Sequence, residues 1–151
     1  MGTHRYETRL RWSGSTGAGW DGYDRAHSAT APPAEQEVRL TTGESHGDPS
    51  ILNPEQLLVM SASSCQMLFF LHLAAKARID VVRYEDDALG VMPEDDEPLR
   101  ISEITLRPQI TVAGDASEER IRKLVHTAHE YCYIANSLRC EVAIEPTVTR
   151  R

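Results

Sequence analysis

Cysteine is scarce: three residues in 151, an odd count in a chain long enough to fold without cross-links. That excludes a secreted disulfide scaffold and leads us to expect reduced thiols in a cytoplasmic protein. Positive charge is the minority sign, with 16 Lys and Arg against 23 Asp and Glu and a net charge of −7. No Lys/Arg cluster interrupts the acidic surface, so neither a nucleic acid nor a membrane is an expected partner. Gly-x-Gly-x-x-Gly and P-loop motifs are missing, which removes a cradle for nucleotide phosphates. Cys-x-x-Cys, His-x-x-x-His and His-Glu-x-x-His are missing too, so no metal site is expected. No Gly-x-Ser-x-Gly elbow is present. The segment from Met1 to Arg11 is polar and offers no apolar signal core, and Tyr6 stands where a myristoylation signal needs Ser or Thr. Neither a repeat nor a linker divides the chain, and its length suits a single domain over 1–151.

What the chain does have is one long apolar stretch, Leu57 to Ala77. It approaches the length of a bilayer span, but Ser61, Ser63, Ser64, Gln66, His72 and Lys76 are too many polar groups for a lone one. A helix buried on most sides, in a core or a dimer, is the better account. Asn53-Pro54-Glu55 marks its start: an N-cap, a first-turn proline and a carboxylate at the positive end. The helix should run to about Arg78. Before it, alternation predicts strands over Tyr6–Trp12, Tyr23–Thr30 and Glu37–Thr42, a meander with Ser13–Gly22 as a loop and Gly43–Ile51 as the exit. After it come strands over Ile79–Tyr84 and Ala88–Met92, an acidic turn over Pro93–Pro98, and one long strand over Leu99–Ala113, bent near Pro108. Ser117 should cap a second helix with the stripe Ile121, Leu124, Val125, Ala128 and Cys132, ending at Asn136-Ser137. A last strand covers Leu138–Val148. Runs of strands separated by single helices predict an α+β fold.

Two cysteines fall on helices. Cys65 lies in Ser-Ala-Ser-Ser-Cys-Gln-Met, whose small residues would let another chain or a substrate approach. Cys132 closes the second helix, after His129 and between Tyr131 and Tyr133. On the residues alone, core packing is the favoured account of each of them. Cys140, on the apolar face of the last strand, is expected to be buried and inert. His27, His72, His126 and His129 read as surface or satisfied polar residues.

At the level of whole segments the sequence resembles the OsmC/Ohr family of osmotically inducible and organic hydroperoxide resistance proteins. Asn53-Pro54-Glu55-Gln56-Leu57-Leu58 followed by Ala62-Ser63-Ser64-Cys65 carries the resemblance, and His129 to Ser137 resembles the family's second cysteine segment. Tyr84, Asp86-Asp87-Ala88, Gly90 and Ile104 to Pro108 fall in family order, so the resemblance runs from about Trp12 to Pro146. It implies a cysteine-based peroxidase. Cys65 would attack an organic hydroperoxide, Cys132 would resolve the sulfenic acid as a disulfide, and a dithiol or lipoyl-type reductant would close the cycle without a bound cofactor. It also implies an arginine from the early strands that stabilises the thiolate, held by the motif glutamate; Arg25 and Glu55 match these.

Glu55 and Cys65 are ten residues apart, about 15 Å along a straight helix, and no proline or glycine between Gln56 and Arg78 would break it. One chain therefore cannot bring its own Glu55 to its own Cys65. An intertwined homodimer, with cysteines from one chain and Glu55 and Arg25 from the other, is the expectation. Two alternatives stand beside it: a Cys65–His129 acyl-transfer enzyme, and a non-catalytic small-molecule-binding protein on the same fold.

Overall fold

The computed structural model describes residues 2–43 and 46–151. The expected exit loop over 43–51 includes residues 44 and 45, and these lie outside the described residues, as does Met1. The chain forms two compact units, Met1–Leu57 and Leu58–Arg151.

The first unit is the expected antiparallel meander, β1 (Arg9–Arg11), β2 (His27–Thr30) and β3 (Glu37–Leu40). Arg9 pairs with Thr30, and Thr30 in turn with Glu37. The expected strand over Tyr23–Thr30 loses its first half for a local reason. Asp24 Oδ1 accepts a hydrogen bond from the Ala26 amide at 2.8 Å, and the Arg25 guanidinium donates back to the Tyr23 and Trp20 carbonyls. Side chains that satisfy nearby backbone in this way compete with a strand ladder.

Helix α1 (Pro54–Lys76) starts where the motif placed it. Asn53 Oδ1 accepts from the Gln56 amide at 2.8 Å, and Gln56 Oε1 accepts from the Asn53 amide at 3.1 Å, a reciprocal capping box. Its other end is closed by Arg78 in the left-handed region (φ 57°), with the Ile79 amide donating to Ala74 and the Arg78 amide to Ala75. That is the Schellman arrangement, completed by burial of Ile79 against Ala74. By length and composition α1 would pass as a membrane span. One stripe of it, Ala62, Gln66, Phe70 and Ala74, is buried.

In the second unit β4 (Asp80–Asp86), β7 (Pro108–Ala113) and β9 (Thr147–Arg150) form one sheet, in the order β4-β7-β9. Strands β5 (Leu89–Val91), β6 (Glu103–Leu106) and β8 (Glu141–Ile144) form another, in the order β5-β6-β8. The single strands expected over 99–113 and 138–148 are thus each two strands that change sheet. Both breaks lie at the same level, because β6 pairs in parallel with β8 and β7 with β9. At the junction the Glu145 amide donates to the Leu106 carbonyl at 2.8 Å, and the Arg107 amide donates to Asp86 Oδ1 at 2.6 Å. Pro108 and Pro146 are both buried there. A proline begins a strand well and cannot donate within one, so each marks a corner.

Helix α2 (Glu118–Tyr131) begins at the expected cap, with Ser117 accepting from the Arg120 amide. It does not run on to Ser137. Cys132 leaves the helix in an extended conformation (φ −64°, ψ 113°), and a short helix α3 (Tyr133–Ser137) follows. The break is stabilised by a side chain of α3: Asn136 Nδ2 donates to the Glu130 carbonyl at 3.0 Å, satisfying a group that helix ends leave open. Phe70, Ala74, Ile110, Val112, Ile121 and Val125 anchor the larger core. Ala62, Ile104 and Leu106 anchor a second one, against which Ile134, Leu138 and Cys140 pack. The architecture is α+β, as the order of elements predicted.

Candidate functional site

Cys65 stands in the fourth turn of α1, half-buried, and Cys132 is 1% exposed in the hinge between α2 and α3. All three cysteines are unbridged thiols. The fold brings Cys65 and Cys132 together although they are far apart in sequence. Burial pushes the Cys132 thiol above its ordinary range, the Ala135 amide pulls it back, and the side chain of Cys65 raises it as an interacting second thiol. Cys132 is therefore a protonated partner for the more accessible Cys65.

The hinge explains why Cys132 reaches α1. Had α2 continued, its next residues would have followed the α2 axis; the extended backbone at Cys132 turns the chain instead. Beside the thiols, Phe69, one turn beyond Cys65, meets Tyr133, the residue after Cys132, edge to face at 4.8 Å. This contact fixes the hinge against α1 with geometry that aromatic pairs favour. Phe70, one position on, is buried in the core, Leu68 is 60% exposed, and Met67 faces another flank.

That other flank carries a groove of about 510 Å³, lined by Val59, Met60, Ser63, Met67, Tyr84 and Asp86 among others. Ser63 and Cys65 point about 200° apart around the helix, so the groove and the thiol pair lie on different sides of α1. Ser63 donates to Asp86 Oδ2, and Asp86 Oδ1 takes the Arg107 amide, so this carboxylate ties α1 to the strand corner. Burial, and then the charge of Asp86, push the Tyr84 phenol upward, and no partner among the described residues reaches its buried Oη.

Gln66 was not singled out as a functional residue by sequence. It is fully buried, and its Nε2 donates to the Val125 carbonyl of α2 at 3.0 Å. The signal available was positional: one amide on the apolar stripe Ala62, Gln66, Phe70, Ala74. His129 is held neutral by burial and by His126, with Glu130 opposing. No hydrogen bond joins it to Cys65 among the described residues, and its buried Nδ1 has no partner among them. Cys140, one residue before β8, is half-buried and lines a separate cleft of about 310 Å³ with His129 and Asn136.

The two remaining expected residues belong to the first unit. Arg25 is half-buried, its Nη1 donating to the Tyr23 carbonyl at 3.0 Å and its Nη2 to that of Trp20 at 2.5 Å. The guanidinium lies 4.0 Å from the centre of the Tyr23 ring and 5.3 Å from that of Trp20. Such a setting fixes the cation's position without neutralising it. Glu55 is exposed in the first turn of α1, near Gly43. No ion pair joins it to Arg25 among the described residues.

Fold and site together define an α+β protein with a thiol pair where a helix meets a hinge. A family model of OsmC-like proteins matches residues 47–147, and the chain belongs to that family. A solved OsmC-like protein of unknown function from Vibrio cholerae is 27% identical, with a TM-score of 0.86 over 96% of this chain and all of that one. An organic hydroperoxide resistance protein from Legionella pneumophila shares the fold at 16% identity and a TM-score of 0.69, covering 99% of each chain. The organic hydroperoxide resistance protein OhrB of Bacillus subtilis shares it at 19% identity and 0.60, covering 97% of this chain and 98% of that one. No curated protein matches the sequence.

Proposed function

We propose that this protein is a thiol-dependent peroxidase that reduces organic hydroperoxides. The observation that carries the reading is the interacting pair of unbridged thiols, one half-exposed and one buried with its proton held. The Cys65 thiolate attacks the terminal oxygen of the hydroperoxide and breaks the O–O bond. It becomes a sulfenic acid, and the alkoxide takes a proton and leaves as the alcohol. The Cys132 thiol then condenses with the sulfenic acid, giving a Cys65–Cys132 disulfide and water. A dithiol, of lipoyl type, returns both cysteines to thiols and leaves as its own disulfide. No bound cofactor is needed. Names of structural relatives that speak of hydroperoxide resistance support the substrate class.

Cys65 is too deep in α1 to draw on the helix N-terminus for its negative charge. Arg25 is the cation proposed for it, with Glu55 as that arginine's carboxylate partner, both contributed by a second copy of the chain. Support for the homodimer comes from α1 itself, which buries only Ala62, Gln66, Phe70 and Ala74 within one chain. Met60 and Leu68 are 49% and 60% exposed there. The test is peroxide consumption with dihydrolipoamide as reductant, comparing cumene hydroperoxide with hydrogen peroxide, and mass spectrometry after one equivalent of peroxide. A clear preference for the organic peroxide and a Cys65–Cys132 bridge are expected. A preference for hydrogen peroxide, or a bridge to Cys140, overturns the reading. Arg25→Ala should slow the oxidation of Cys65 by cumene hydroperoxide, since the thiolate loses its cation.

A further inference from the structure

We infer that Gln66 is a positioning residue for disulfide formation: its amide clamps α1 to α2 and so sets the approach of Cys65 to Cys132. The inference rests on the thiol chemistry proposed above and adds the residue that registers it. Gln66 follows Cys65 directly, and the carbonyl it grips, at Val125, lies seven residues before Cys132 on α2. The amide thus joins the helix bearing one thiol to the helix that ends at the other. A hydrogen bond of 3.0 Å tolerates only small sliding of one helix along the other. The apolar neighbours Phe70, Val125 and Ala128 supply adhesion without a fixed axial position.

A second observation shows that packing is not the reason for an amide here. Gln66 is 0% exposed, and no donor among the described residues reaches its buried Oε1. A buried amide with an unpaired oxygen is less favourable to stability than an apolar side chain of the same shape. Methionine or leucine would fill the stripe between Ala62 and Phe70 with no orphaned atom. What they lack is the donor that holds the Val125 carbonyl.

The test uses the full chain and Gln66→Met, which keeps volume and removes the amide. Each protein is equilibrated in glutathione redox buffers, with no peroxide present. The Cys65–Cys132 disulfide is quantified by mass spectrometry, and thermal unfolding is followed in parallel. Loosening the clamp lowers the effective concentration of one thiol at the other, so the disulfide equilibrium should fall about tenfold in Gln66→Met, with an unfolding temperature no lower than that of the wild type. An unchanged disulfide equilibrium in Gln66→Met overturns the inference and leaves the proposed function standing. Absence of any Cys65–Cys132 bridge in the wild type overturns the proposed function instead. Should Gln66→Met fail to fold, the wild type still decides. The Gln66 side-chain NH₂ protons should exchange slowly by NMR, and rapid exchange would overturn the clamp.

Discussion

The two long helices answer the same problem differently. Helix α2 has one buried stripe, Ile121, Val125 and Ala128, and a charged outer face on which Arg122 pairs with Glu118 at 2.7 Å. It is finished within one chain. Helix α1 has polar residues scattered around it and no single polar face; it buries only Ala62, Gln66, Phe70 and Ala74, and leaves Met60 and Leu68 open. An amphipathic helix needs one neighbour, whereas a helix without a polar face needs several. The cysteines follow the same division. Cys65 sits in a helix with surface still to be covered, and Cys132 sits buried where the finished helix stops.

The sharpest way to separate the two helices is through their thiols. Cys65→Ser should abolish hydroperoxide reduction to the uncatalysed background, while Cys132→Ser should consume one equivalent per chain and then stall. Trapping of sulfenic acid at Cys65 in the second variant checks this, and continued turnover of Cys65→Ser would break the distinction. Next in size are the packing changes. Phe70→Ala removes a fully buried ring and should cost about 3–5 kcal/mol in denaturant unfolding. Leu68→Glu, two residues earlier on the open side of α1, should instead convert a dimer to monomer in sedimentation velocity. A Leu68→Glu protein that sediments as the wild type does would show that this face of α1 pairs with nothing.

Proton linkage gives smaller effects. Folding raises the Cys132 pKa above the unfolded value of 9.0, chiefly by burial, so the folded state holds that proton more tightly. The associated stability is fully present below about pH 9 and is lost as pH rises through the folded value. Cys132→Ala should flatten the alkaline limb of a stability–pH curve. His129 acts in the opposite sense: burial lowers its pKa below 6.5, so its contribution is present above pH 6.5 and lost on acidification. His129→Gln should flatten the acid limb. The smallest expected change is at the start of α2, where Ser117→Ala loses the cap on Arg120 and should cost about 1 kcal/mol.

Sequence alone determined the helix starts at Asn53 and Ser117, the α+β order, the N-terminal meander and the two cysteine segments. Each of these depends on neighbours a few residues away: a cap, a period, a proline, a motif. The sequence also marked the bend near Pro108, but tertiary structure alone decided that the chain changes sheet there and that the strand over 138–148 divides as well. The corner is set by parallel pairing with distant strands and by Asp86 gripping the Arg107 amide. It also decided that α2 stops at Cys132, since the apolar period runs through that residue without interruption, and the turn there is held by Tyr133 packed on Phe69 of α1, a residue distant in sequence. The function of Gln66 was beyond reach for the same reason. A sequence shows that an amide interrupts an apolar stripe, but the carbonyl it binds belongs to another helix, 59 residues away.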